Sequence, residues 1–512
     1  MGSRTKSAAK NTIFSIQYQL MNILLKFVMR SVFIHCLGKE YLGVSGVFSN
    51  ILTILALSEL GIGTAIIYDL YDPIAKEDKN KITQLIKFYR NVYGAIGIFI
   101  VTCGICLIPF LDKIIKDVPS VNNIIVIYIL LLINTAGTYF FAHYISLFDA
   151  YQKNYINTSY NMIFAILKVV LECVFLWLFH SYIVYLIIEL LVSFTCNFFI
   201  YKNAIKYFSF IQKKVEPLNL SERKHIFVNA VYNFSRKFSG TVVCATDNIL
   251  MSILVSTIAV GVYSNYALIM QIISSSTVLL VNALTAGVGN FCVSESKDSK
   301  YKLFRKINFI YFSLYMLISV GFLSIIQPFI RIWIGDDYLL SYSIVIIVML
   351  NCFISGMKQP LEIYISADGL FRKLSVEPWI TAVFNVLFSI MMGKRYGVLG
   401  IVLGTTISQL LTDVWFYGYI VFKFSFEQNV IHYVKNYIKN IAAVTVACIL
   451  AICGHNYLFA SLNLIGQLFA NGIFALVIFG VIWILVFHRT EEYAYFQKMI
   501  LKIISKSKCN IL

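Results

Sequence analysis

Residues 13–37, IFSIQYQLMNILLKFVMRSVFIHCL, decide the fold class because they are apolar over a full bilayer thickness. At a rise of 1.5 Å per residue, such a helix spans the hydrocarbon core of about 30 Å. Similar runs recur along the 512 residues, of which 59% are hydrophobic and 13% charged, with a mean hydropathy of +0.78. Helices satisfy every backbone polar group within the segment, so we predict an all-α, polytopic membrane protein. The first run is full length and lacks a following small-residue cleavage site, so we expect an anchor rather than a cleaved signal.

The apolar runs predict about 14 transmembrane helices. They cover residues 12–36, 42–68, 86–110, 123–147, 156–179, 182–203, 226–255, 259–290, 305–330, 342–366, 375–393, 397–421, 438–458 and 465–487.

The proline and the charges in VEPLNLSERKH, residues 215–225, mark a linker that divides the chain. We predict an N-lobe of six helices at 1–205, a cytoplasmic linker at 206–224 and a C-lobe of helices seven to twelve at 225–425. Two further helices and a basic cytoplasmic tail follow at 426–512. YLGVSGVFSNIL (41–52) and AVGVYSNYALIM (259–270) are similar, which supports two lobes related as parallel repeats.

The distribution of positive charge predicts the orientation. The chain has 42 lysines and arginines against 25 acidic residues, a net charge of +17. With the N-terminus inside, thirty of these cations fall on the inner side and six on the outer side. Both termini are therefore expected to be cytoplasmic, and the charge serves orientation and contact with anionic membrane lipids rather than nucleic-acid binding.

Six cations remain inside the spans: Lys26, Arg30, Lys168, Arg236, Lys237 and Lys358. Each costs at least about 2.5–3.5 kcal/mol at a helix centre unless it faces water or a counter-charge. Lys26 and Arg30 are four residues apart and share a helix face, and Arg236 and Lys237 lie near mid-depth of the seventh span. Such a cationic cavity favours an anionic ligand, because arginine forks bind phosphate oxygens.

Acidic residues in the spans offer the alternative, in which cations and acids only pair to hold helices together. Lys168 and Glu172, and Lys358 and Glu362, have the i, i+4 spacing of an ion pair. Two more acids, Glu59 and Asp247, remain as counter-charges or as groups for ion coupling; Asp247 shares the helix face of Arg236.

Sequence motifs of catalysis are lacking: there is no Walker A motif, no histidine pattern of a metal site and no Gly-x-Ser-x-Gly elbow. We therefore expect no enzyme activity, no cofactor and no metal.

Four passages resemble the Wzx-like polysaccharide flippases of the multidrug/oligosaccharidyl-lipid/polysaccharide exporter (MOP) superfamily. They are LGKEYLGVSGVFSNILTILALSELGIGTAIIYDLYDPIAKEDKNKI (37–82), TDNILMSILVSTIAVGVYSNYALI (246–269), PFIRIWIGDDYLL (328–340) and YGVLGIVLGTTISQLL (396–411).

The resemblance implies two six-helix lobes around a central cavity, with two extra helices. It implies transfer of an undecaprenyl-diphosphate-linked oligosaccharide across a bacterial plasma membrane by alternating access, for capsule, O-antigen or exopolysaccharide synthesis. A polysaccharide polymerase and glycosyltransferases are then expected partners. Cavity cations of the first and seventh helices correspond to Lys26, Arg30, Arg236 and Lys237.

Other functions remain open at this point. A cation-coupled multidrug exporter of the same superfamily would use an intramembrane acid such as Glu59. A membrane polysaccharide polymerase or ligase would need a large outer loop for its catalytic residues, and no predicted outer loop exceeds a dozen or so residues. A non-transporting scaffold for polysaccharide assembly is a further alternative.

Overall fold

The computed structural model describes residues 2–59, 62–117, 121–459 and 461–498. These residues are mostly helical and include no β-strand, as predicted for an all-α protein. They form two compact units, residues 1–264 and 265–512.

Unit 1 contains nine helices and the beginning of a tenth. They are α1 (Gly2–Leu55), α2 (Ile62–Ala75), α3 (Lys79–Leu107), α4 (Leu111–Ile114), α5 (Ile124–Tyr139), α6 (Ala142–Ala150), α7 (Asn154–Phe179), α8 (Tyr182–Tyr207), α9 (Leu220–Leu254) and α10 (Thr257–Ser294).

Unit 2 contains the remainder of α10 and seven more helices. They are α11 (Lys297–Ile334), α12 (Tyr342–Ala367), α13 (Glu377–Tyr396), α14 (Val398–Leu411), α15 (Asp413–Val421), α16 (Val430–Tyr457) and α17 (Leu464–Phe487).

Twelve helices in the described part of the chain are long and apolar enough to cross a membrane. The protein is therefore a multi-pass membrane protein, while the count of 14 stays a prediction. One of the twelve runs from Lys10 to Leu55 and contains the first predicted span and the start of the second. The predicted lobe boundary at 206–224 also stays a prediction; α9 packs against α1 and α2 and so belongs to unit 1.

Gly38 separates the two arms of α1. Its φ of 80° and ψ of −171° are not helical, and this left-handed region is accessible to glycine without a steric penalty. The chain therefore changes direction at Gly38 without a loop, which is why helical structure continues on both sides.

Three predicted spans are not single helices. The second is interrupted after Leu55 by a 3₁₀ turn at Ala56–Glu59, and the fourth is divided between α5 and α6. The twelfth is divided at Thr412, between α14 and α15. The apolar runs continue through these breaks, so the sequence gives no sign of them. In membrane transporters such broken helices often lie beside binding sites.

Candidate functional site

Lys26 and Arg30 lie on the first arm of α1, away from its apolar stripe. Leu20, Leu24 and Val28 are at least half exposed and form that stripe, which suits contact with lipid. At about 100° per residue, the exposed side chain of Lys26 projects from roughly the opposite side of the helix. The first-span cations therefore do not share the apolar face.

Arg30 is surrounded by hydroxyl groups. Its Nη1 donates a hydrogen bond of 3.0 Å to the Ser264 hydroxyl, and its charge interacts with the phenols of Tyr182 and Tyr185 on α8. Among the described residues no carboxylate lies within 4.0 Å of the guanidinium. An arginine solvated by neutral hydroxyls keeps its charge available for an anion.

Ser264 belongs to the place where the first turns of α10 cross the second arm of α1. A Cβ on Gly43 would overlap the carbonyl of Thr257, and a Cβ on Gly261 would overlap the carbonyl of Lys39. The two backbones are thus in direct contact, which only glycine permits. The Ser264 hydroxyl donates to the Gly261 carbonyl at 2.7 Å, so Arg30 is attached to this crossing through one side chain.

Hydrogen bonds on one side of the crossing hold the segment after α4 to the α9–α10 turn. The Lys116 backbone N–H donates to Thr257 Oγ1 at 2.9 Å, and Lys116 Nζ donates to the carbonyl of Ile253 at 2.7 Å. Ser252 Oγ donates to the carbonyl of Ile114 at 2.6 Å. Ser252 and Thr257 are fully buried, so these hydrogen bonds lie in the packed interior rather than at the surface.

Lys168 on α7 lies between two carboxylates. Its ammonium is 3.9 Å from Glu172 Oε1, the partner expected from the i, i+4 spacing, and 2.9 Å from Glu189 Oε1 on α8. The closer partner therefore comes from the neighbouring helix. Glu172 is completely buried, and neither of its oxygens accepts a hydrogen bond from any described residue.

Arg30, Glu172 and Glu189 each lie at the same distance along their helix from the turn that ends it. Arg30 is eight residues before Gly38, Glu172 is eight residues before His180, and Glu189 is eight residues after Ser181. At 1.5 Å per residue each lies about 12 Å from the turn at its own end. Tyr185 lies near Arg30, Glu172 and Glu189, so these three charges are close enough to form one electrostatic network.

Glu59 lies in the break of the second predicted span. Tyr139, the last residue of α5, hydrogen-bonds to Glu59, and Tyr93 of α3 interacts with it electrostatically. The rings of Tyr93 and Tyr139 are 6.3 Å apart. Glu59, at the break of the second predicted span, is thus hydrogen-bonded to Tyr139, at the break of the fourth. The part of Glu59 in ion coupling stays a prediction.

Unit 2 contains a second charged cluster around Lys358. Its ammonium lies 3.8 Å from Glu362 Oε1, as the spacing predicts, and 2.9 Å from Asp413 Oδ2 at the break between α14 and α15. It also lies over the ring of Tyr417. The Asp413 carboxyl is in hydrogen-bond contact with Glu377, which is only 3% exposed.

Two residues of this cluster, Asp413 and Glu377, were not among the site residues predicted from the sequence. Asp413 is an acid inside an apolar run, which is the same signal that identified the six cations. Glu377 is at a predicted helix start, where an acid is ordinary. Only the fold shows that both belong to the environment of Lys358.

Three predicted site residues lie on α9, and the structure describes the side chain of one of them. The side chains of Arg236 and Lys237 lie outside the part of the chain that the structure describes. Asp247 is described and buried. No group of three potential metal ligands occurs among the residues searched, which are the described ones.

The fold is similar to those of several solved transporters. The lipid II flippase MurJ in an inward closed conformation has a TM-score of 0.65 and 16% identity, over 93% of this chain and 98% of that one. An inward-facing multidrug resistance MATE family transporter has a TM-score of 0.61 and 15% identity, over 80% and 98%. A MOP superfamily transporter from Pyrococcus furiosus, for which a reverse polarity of the binding pocket is described, has 0.56 and 14%, over 82% and 96%. The fold is therefore that of MOP superfamily transporters, as the sequence resemblance implied.

Residues 8–285 match the family described as "Polysaccharide biosynthesis protein". This match covers more than half of the chain, and the chain belongs to that family. No curated protein matches it in sequence.

Proposed function

We propose that the protein moves an undecaprenyl-diphosphate-linked oligosaccharide from the inner to the outer leaflet of a bacterial plasma membrane, for cell-surface polysaccharide synthesis. Transport proceeds by alternating access, with both termini cytoplasmic. The diphosphate binds to Lys26 and Arg30, with Arg236 and Lys237 as further cations. Glycosyltransferases that build the oligosaccharide and a polymerase that consumes it are the expected partners.

The observation that carries the proposal is the environment of Arg30. A partly buried arginine in a membrane span normally faces a carboxylate or water, because an uncompensated charge in a low-dielectric region is costly. Arg30 instead has a serine hydroxyl and two nearby phenols, and no described carboxylate within 4.0 Å. A bound diphosphate supplies the missing negative charge, and the guanidinium fork matches its oxygens.

The alternative of a multidrug exporter fits this environment less well. Cationic drugs are repelled by the exposed ammonium of Lys26 and by Arg30. The family match, to polysaccharide biosynthesis, also favours the lipid-linked sugar.

Replacing Arg30 by glutamine is expected to reduce flipping by at least about tenfold, because a charge-assisted contact to phosphate is lost. Lys26→Gln and Arg236→Gln should act in the same direction. Arg30→Lys should recover part of the rate, since it keeps the charge and loses the fork. The measurement is flipping of a fluorescent lipid-diphosphate-linked sugar in proteoliposomes, with membrane level and monodispersity checked for each variant.

The matched control is Lys113→Gln, which removes an exposed cation on α4. It should flip at the wild-type rate. Wild-type flipping in Arg30→Gln, Lys26→Gln and Arg236→Gln would refute the cationic site, and efflux of cationic dyes without sugar flipping would favour the exporter.

A further inference from the structure

We propose that Glu172 is a proton-binding site and that its proton strengthens binding of the diphosphate at Arg30. This inference rests on the proposed function, since it concerns the same anion site.

The surroundings of Glu172 do not satisfy an ionised carboxylate. The side chain has no exposed surface, and neither oxygen receives a hydrogen bond from the described residues. Its one cationic neighbour, Lys168, is 3.9 Å away and lies 1.0 Å closer to Glu189. A buried carboxyl group without donors is stable when it carries a proton.

A proton fits this place better than a metal cation. A metal ion would need several oxygen ligands at short distance, whereas the nearest charged group to Glu172 is an ammonium that repels it.

The charged and titratable groups near Glu172 are Lys168 and Cys173 of α7 and Glu189, Tyr185 and Tyr182 of α8. The helix α1 packs against α7, and its groups lie beside these neighbours: Arg30 near Tyr182 and Tyr185, and Tyr18 near Lys168. The helix α6 also packs against α7, and its titratable groups His143, Tyr144 and Asp149 have their interactions with Arg90, Tyr201 and Asn157 instead.

Charge balance in this network gives the direction of the linkage. With Glu172 ionised, the two cations Arg30 and Lys168 are accompanied by two carboxylates, and both carboxylates lie beside Lys168. A proton on Glu172 removes one of the two negative charges, so the electrostatic potential at Arg30, which has no ion-pair partner among them in either state, becomes more positive. An anion at Arg30 therefore binds more tightly when Glu172 is protonated, and by reciprocity the anion promotes proton binding.

Proton uptake on ligand binding tests the inference. The probe is N-acetylglucosamine linked through diphosphate to a farnesyl chain, a diester whose two negative charges do not titrate near neutral pH. Calorimetry in buffers of different ionisation enthalpy should show proton uptake by the wild type, with an affinity that falls of the order of tenfold from about pH 6 to about pH 8.5. Glu172→Gln should bind without proton uptake, at the tight, low-pH affinity throughout.

Asp149→Asn is the control, because it changes another half-buried carboxyl of unit 1, one that faces Asn157. It should keep the wild-type proton uptake. The infrared C=O band of a protonated carboxyl provides a second measurement: it should grow when the probe is added, and it should be missing in Glu172→Gln.

The outcomes separate the two proposals. Probe binding that depends on Arg30, with no proton uptake in the wild type or with unchanged uptake in Glu172→Gln, overturns the role of Glu172 alone. No binding to the wild type, or equal binding to Arg30→Gln, overturns the anion site and the linkage with it.

Discussion

Replacing Lys358 by methionine is expected to lower the free energy of unfolding by about 3–5 kcal/mol, the usual cost of removing one partner from a buried ion pair. The change leaves the Asp413 carboxyl, 8% exposed, and its neighbour Glu377 without a cation. Glu362 has 41% of its side chain exposed and depends less on Lys358, so the loss arises mainly from the buried Asp413. The measurement is denaturant unfolding in detergent micelles, followed by tryptophan fluorescence.

Asp413→Asn should cost less, because Lys358 keeps Glu362 at 3.8 Å. The double variant Lys358→Met/Asp413→Asn should be more stable than the sum of the single losses predicts, since neither charge is then left alone. Lys394→Met, which removes an exposed lysine of α13, is the control and should change little. Strictly additive losses, or a loss in Lys358→Met no larger than in the control, would show that the ion pair contributes nothing.

The two clusters also show what helical spacing can and cannot predict. The i, i+4 rule placed Glu172 near Lys168 and Glu362 near Lys358, and the structure has both pairs just within ion-pair distance. In each case the shorter contact, 2.9 Å, is to a carboxylate on another helix, Glu189 or Asp413. A single sequence reports neighbours along one helix and says nothing of which helices pack side by side.

Helix breaks escaped prediction for a related reason. Hydropathy reports whether a segment is apolar, and it is insensitive to whether the backbone is helical at one position. The sequence around Glu59 and Thr412 is as apolar as a continuous helix requires, and only the structure shows the breaks, where Glu59 contacts Tyr139 and Asp413 contacts Lys358. The polytopic all-α class needed only composition and run length, and so it was predictable.

The crossing of α1 and α10 is the other place where a single change should have a large effect. Gly-Val occurs in both YLGVSG and AVGVYS, and the structure places the glycines of these two pairs in mutual contact. Gly261 needs the space beside the Lys39 carbonyl and the Gly43 backbone, and Gly43 needs the space beside the Thr257 carbonyl. Backbone atoms cannot rotate aside as a side chain does, so any Cβ must separate the two helices.

Gly43→Val is therefore expected to destabilise unit 1 by at least about 1–3 kcal/mol, the range for overpacked interiors. It should also reduce flipping strongly, because separating the helices moves Ser264 away from Arg30 and strains the Lys116–Thr257 hydrogen bonds. Gly261→Val should do the same, and the two together should cost less than their sum, since the first already opens the contact. The measurements are the amount of monodisperse protein extracted from membranes and the flipping rate per molecule.

Gly94→Val on α3 is the matched control, because a Cβ there meets no atom within 4 Å while the change in helix propensity is the same. If Gly43→Val behaved like Gly94→Val in both measurements, the glycine contact would be incidental. If instead Gly43→Val assembled normally but lost flipping, the crossing would act on transport rather than on folding. Arg30 is joined to Gly261 through Ser264, so a loss of that kind would show that the crossing acts on transport together with Arg30.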